Sequence, residues 1–107
     1  PADNTDKTDL SSRDYIFPDS NSRYLTDEDL SGYSSDQLEL AKNEIYARHG
    51  RKFVTQRIAD YFNSKSWYKG TVEPETFDAD TSVFNEYEVA NIQKIADTEG
   101  KLRSEGK

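Results

Sequence analysis

NEIYARHGRKF, residues 43–53, is the stretch on which the fold turns. It reads as the last two turns of a helix, a stop and a new start. Leu38, Ala41 and Ile45 recur at helical spacing and define one apolar face. His49 continues that line four residues beyond Ile45. Gly50 then ends the helix as a left-handed residue, because only glycine adopts that conformation without a Cβ penalty. Glu44 and Arg48 stand four apart in the favourable orientation, worth about 0.2–0.5 kcal/mol on an exposed face. Upstream, Ser34-Ser35-Asp36-Gln37 has the form of a capping box, so one helix is predicted from there to about His49.

Working outward, Thr26 is a candidate cap for a very short helix through Leu30, with Asp27, Glu28 and Asp29 in its first turn and Gly32 as its stop. Downstream, Thr55 is a candidate cap, with Val54 and Ala59 placed for a weak hydrophobic staple. Ile58, Tyr61 and Phe62 form the apolar edge of the helix behind it. Residues 70–81 hold Gly, Pro and several acids and read as a loop anchored by Phe77. A last helix is expected to open near Ser82 and run past Ile95. No strand pattern appears. The prediction is an all-α bundle of about four helices, the first short. It occupies residues 23–98, behind an acidic polar linker at 1–22 and ahead of a fraying tail at 99–107. Within that linker, Tyr15, Ile16 and Phe17, closed by Pro18, form one apolar cluster placed to dock on the domain.

Composition narrows the function. The 107 residues allow a single domain, and a domain this small buries only part of its surface. Seven Tyr, five Phe and one Trp must supply much of its core. Without cysteine there is no disulfide framework, thiolate zinc site or cysteine nucleophile. A net charge of −7 repels phosphate backbones and excludes nucleic acid as a general partner. No apolar run is long enough for a membrane span. Methionine is absent, so the chain is expected to be an excised or processed product, with any signal or anchor upstream. No phosphate loop, HExxH motif, calcium loop or nucleophile elbow is present, and no metal or cofactor is expected.

One constellation carries possible chemistry. On the last helix, Glu88 and Asn91 fall within the apolar face formed by Phe84, Ile92 and Ile95. A buried carboxylate must find a partner or take up a proton. Arg48 and His49 are the candidates, so the four groups are expected to meet across the bundle. Two readings follow. Either Arg48, His49, Glu88 and Asn91, with Gly50 turning the chain, form a satisfied polar network that fixes helix docking. Or Glu88 works as acid or base with His49 as its partner. Trp67, Tyr68, Tyr61 and Tyr46 are separately candidates for an aromatic platform that takes sugar rings or a peptide.

The run NEIYARHGRKF resembles the YARHG domain, a bacterial module named after the residue types at Tyr46, Ala47, Arg48, His49 and Gly50. The resemblance extends over residues 23–95. It takes in Arg23-Tyr24-Leu25-Thr26, Asp29-Leu30-Ser31-Gly32, Tyr61-Phe62-Asn63, Trp67-Tyr68 and the N-x-x-E-x-x-N-I pattern from Asn85 to Ile92. Tyr33 stands where a leucine is usual and Lys42 where an arginine is commoner. The resemblance implies an extracytoplasmic accessory module on a secreted or membrane-anchored bacterial protein, with no established activity to carry over. The expected function is therefore a non-catalytic, monomeric binding module for cell-envelope glycan or peptide. The alternatives are a small wall hydrolase using Glu88 and His49, or a protein-interaction or sensor module.

Overall fold

The computed structural model describes residues 14–106; residues 1–13, most of the expected linker, lie outside the described residues, as does Lys107. Among the described residues five helices follow in order: α1 (Asp27–Leu30), α2 (Ser35–Ala47), α3 (Gln56–Asn63), α4 (Pro74–Ala79) and α5 (Glu86–Ser104). Among the described residues no strand forms, and the nearest thing to one is an isolated parallel bridge between Arg51 and Val72.

Each long helix starts where its side chains can replace missing backbone partners. Ser34 accepts from the Gln37 N–H, and the Gln37 side chain accepts from the Ser34 N–H. Asn85 and Glu88 repeat the device at α5, so that helix opens at Glu86 and not near Ser82. Thr26 and Asp29 do the same for α1. Thr55 precedes α3 without a side-chain capping bond, and the staple drawn from Val54 is absent because Val54 is 83% exposed.

Helices α2 and α5 form the main packed pair. Leu38, Ala41 and Ile45 of α2 and Ile95 of α5 are fully buried, joined by Leu25, Leu30 and Tyr33. A second cluster gathers Ala47, Ile58 and Phe62 under Phe53, Tyr61, Trp67 and Tyr68. Phe62 is the hub of the ring contacts there, stacked on Phe53 at 5.0 Å and edge-on to Trp67 at 6.1 Å.

Three boundaries differ from the sequence expectation. The loop at 70–81 contains α4, which Pro74 starts with its preset φ and Phe77 pins by burial. The tail does not fray at 99: α5 continues to Ser104, where Leu102 packs on the core. Glu99 forms ion pairs with Lys42 and Arg103 at 3.2 and 3.1 Å. The folded unit takes in residues ahead of the expected boundary at 23. Ile16, Phe17 and Ser20 are buried at 1%, 6% and 1% exposure, so residues 14–22 belong to the folded unit. Burying two such apolar side chains contributes about 1.5–3 kcal/mol each, enough to hold a short segment down.

Candidate functional site

The C-terminal end of α2 and the first turn of α5 meet at one corner, and the fold delivers the expected polar residues to it unequally. His49 follows the last turn of α2. Its Nε2 and the Glu88 Oε2 share a hydrogen bond of 2.8 Å, and its ring lies edge-on to Phe84 at 5.3 Å. Glu88 Oε1 accepts from the Asn85 N–H at 2.9 Å. One carboxylate therefore caps its own helix and bridges to another. It stands at a helix N-terminus and its partner beyond a helix C-terminus, the placement that both backbone dipoles favour. Only 6% of the Glu88 side chain is exposed, against 27% for His49.

Asn91 and Arg48 do not join this pair. Asn91, 1% exposed, accepts from the Leu25 N–H at 2.8 Å and donates to the Ser20 and Arg23 carbonyls at 2.8 and 2.9 Å. It binds the turn leading from residue 20 to α1. Arg48 points the other way. It donates to the Pro18 carbonyl at 3.0 Å, and its guanidinium lies 4.7 Å from the centre of the Tyr15 ring. The expected four-way cluster is thus one pair, His49 with Glu88, and two separate sets of contacts made by Asn91 and Arg48. Asn91 and Arg48 both reach the stretch before residue 23, which sequence reasoning assigned to a linker.

Glu44 is the residue that reasoning missed. It is fully buried, and its carboxylate accepts the N–H groups of Ile16 and Phe17 at 2.7 and 3.0 Å. A signal existed: Glu44 lies three residues after Ala41 and beside Ile45, on the apolar side of α2. The apparent pairing with Arg48 placed it on the surface instead.

Gly50 turns the chain at φ 89°. It also lets residues 69–72 come close. A Cβ there would lie 2.9 Å from Thr71 Oγ1 and 3.4 Å from the Lys69 carbonyl oxygen. The Gly50 carbonyl accepts from the Thr71 and Val72 N–H groups, both at 2.9 Å.

The four candidate aromatics do not make one platform. Trp67 is half-buried: its ring stacks on Tyr15 at 4.9 Å and its indole N–H donates to the Asp14 carbonyl at 2.6 Å. Tyr61 packs edge-on against Phe62, with the Lys65 ammonium 4.7 Å from its ring centre. Tyr68 and Tyr46 border two shallow cavities that meet at Phe53. One, of about 320 Å³, is walled by Lys52, Phe53, Asn63 and Tyr68. The other, of about 300 Å³, is walled by Asn43, Tyr46, Arg51, Phe53 and Thr55. Neither Glu88 nor His49 lines these cavities or the larger one of about 600 Å³ beside Tyr33 and Lys94. Ion pairs position the cations of this face. Asp78 holds Arg51 through two bonds of 3.0 Å, and the Arg51 side chain in turn holds the Asp78 carboxyl below the usual carboxylate range. Glu73 holds Lys52 at 2.6 Å and raises its ammonium above the ordinary lysine value.

Among the described residues no group of His, Asp or Glu is placed to hold a metal, and no helix is long and apolar enough to cross a membrane. Comparison with curated proteins and with solved structures returned no significant match. A family model, the YARHG domain, matches residues 13–100. That span starts just before the Tyr15-Ile16-Phe17 segment, whose Ile16 and Phe17 are buried, and ends within α5. Domains of this kind are small and are generally found in extracellular proteins. The turn at Gly50, the His49–Glu88 link and the grip of Asn91 all fall within the matched residues, and the chain belongs to the YARHG domain family.

Proposed function

We propose that this domain is a non-catalytic, extracytoplasmic accessory module of a secreted or membrane-anchored bacterial protein, and that as a monomer it binds cell-envelope glycan or peptide. The observation that carries the reading is the face around Phe53. There, two adjoining concavities present aromatic rings from Tyr46 and Tyr68 beside the amides of Asn43 and Asn63. Rings that cover a sugar or a peptide side chain, edged by groups that hydrogen-bond hydroxyls and amides, suit that class of ligand. The hydrolase alternative lacks comparable support. Glu88 is sealed, and each of its oxygens already accepts a hydrogen bond, which leaves no open cleft for acid–base work.

Co-sedimentation with insoluble cell-wall material tests the proposal. The domain is expected to pellet with wall from at least one bacterial type. Asn63→Ala, at an exposed position, should reduce retention several-fold while leaving the thermal melt unchanged. Failure to pellet with wall from a broad panel of bacteria would overturn the reading. Wall clearing by the wild type, lost in Glu88→Gln, would favour the hydrolase.

A further inference from the structure

Residues 14–20 are held in the manner of a bound peptide. Their main chain is gripped by side chains from several parts of the domain. Glu44 of α2 takes the consecutive N–H groups of Ile16 and Phe17. Trp67 donates to the Asp14 carbonyl, Arg48 to the Pro18 carbonyl and Asn91 of α5 to the Ser20 carbonyl. The side chains enter defined seats. Tyr15 is layered between the Trp67 ring and the Arg48 guanidinium. Ile16 disappears into the main core, and Phe17 meets Tyr33 edge-on at 5.5 Å. Main-chain bonds that supply affinity, with alternating pockets that supply specificity, are the physical pattern of peptide recognition.

We infer that Glu44, Arg48 and Trp67 form a peptide-recognition groove, filled in this chain by its own Tyr15-Ile16-Phe17-Pro18 segment and able to take the same segment from a second copy. The ligand class is a short peptide of aromatic, aliphatic, aromatic and proline residues. The order follows from the seats: a flat ring between Trp67 and Arg48, a fully enclosed aliphatic chain, a second ring against Tyr33, then a residue needing no N–H. Pro18 is exposed and offers only its carbonyl, which Arg48 takes. Covalent attachment gives the resident segment a high effective concentration, so a peptide in trans competes only while that segment is released. This groove is separate from the face around Phe53, and the inference does not depend on wall binding.

Two measurements test it. In native-state hydrogen exchange on the full chain, a displaceable segment opens without global unfolding. The Ile16 and Phe17 amides should then exchange at least about tenfold faster than those of Leu38 and Ile45. Equal protection overturns the inference, because the segment is then inseparable from the core. For the second, a protease-cleavable loop is inserted between the exposed Asn21 and Ser22, and the folded chain is cut. A labelled synthetic peptide of residues 12–21 should replace the resident one at one per domain, with helical circular dichroism retained. The same peptide with Ile16→Asp and Phe17→Asp should not bind. Trp67→Phe, which keeps a ring but removes the indole N–H, should weaken binding by about threefold to tenfold. Unfolding on insertion or cutting, or no uptake of the labelled peptide, overturns it.

Discussion

Glu44 and Glu88 are both buried carboxylates, at 0% and 4% exposure, and both accept two hydrogen bonds from well-defined donors. They differ in how far the chain travels to bring the donors. One partner of Glu88 lies three residues away in its own capping box. Both backbone partners of Glu44 lie 27 and 28 residues upstream, in a segment without regular structure. Local hydrogen bonds return energy for little ordering entropy, whereas the Glu44 pair must first close a long loop. The Glu88 corner joins two helices that are already formed. The Glu44 corner helps to recruit a segment without regular structure, alongside the burial of Ile16 and Phe17.

That difference can be broken by substitution. Glu44→Ala should be the costlier change, about 3 kcal/mol in denaturant unfolding, because two buried N–H groups lose a charged acceptor. Glu88→Ala should cost about 2 kcal/mol, for the lost helix cap together with the link to His49. Equal effects, or the reverse order, would show that the segment at 14–20 contributes little to the stability of the domain. Gly50→Ala should cost about 1–2 kcal/mol for its left-handed backbone, plus whatever displacement of Thr71 the new methyl forces.

The smallest expected effect sharpens the comparison from the surface. Asp29 bonds to the Arg23 guanidinium through both oxygens, at 2.8 and 3.2 Å, and to the Thr26 N–H. Chiefly through Arg23, its carboxyl is held well below the usual carboxylate range. A lowered carboxyl stabilises the fold above its unfolded value of about 4, and that contribution fades as the pH falls through the lower folded value. The melting temperature should therefore drop on acidification below about pH 4. Asp29→Asn should lower the neutral-pH melt slightly and flatten that part of the curve, so that variant and wild type converge at low pH. An unaltered acid limb in Asp29→Asn would remove this pair from the account.

Legibility follows the same divide. The capping box at Ser34 and Gln37, the left-handed turn at Gly50 and the apolar faces of α2 and α5 are short-range facts, and each was readable. The meeting of His49 with Glu88 was readable as well, because a carboxylate in an apolar stripe demands a partner and few were on offer. Arg48 and Asn91 were correctly expected to be engaged but were given the wrong partners. Besides the Tyr15 ring and the Ser20 hydroxyl at Arg48, their partners are backbone groups of residues 17–25, which carry no side-chain signature. The short helix α4 was hidden for a related reason. Its acid-rich, proline-led sequence has the composition of a loop, and the burial of Phe77, a tertiary contact, pins it as a helix.

The amino-acid sequence by itself determined that the chain builds a small all-helical domain, where α2 begins and stops, and that Glu88 needed a partner. These depend on backbone sterics, capping and periodicity, which act over a few residues. Tertiary structure alone decided that the folded unit takes in the whole of residues 14–22, that Glu44 anchors Ile16 and Phe17, and that Trp67 stacks on Tyr15. Each of those contacts joins groups far apart in the chain, and its free energy exists only once the helices that present it have packed.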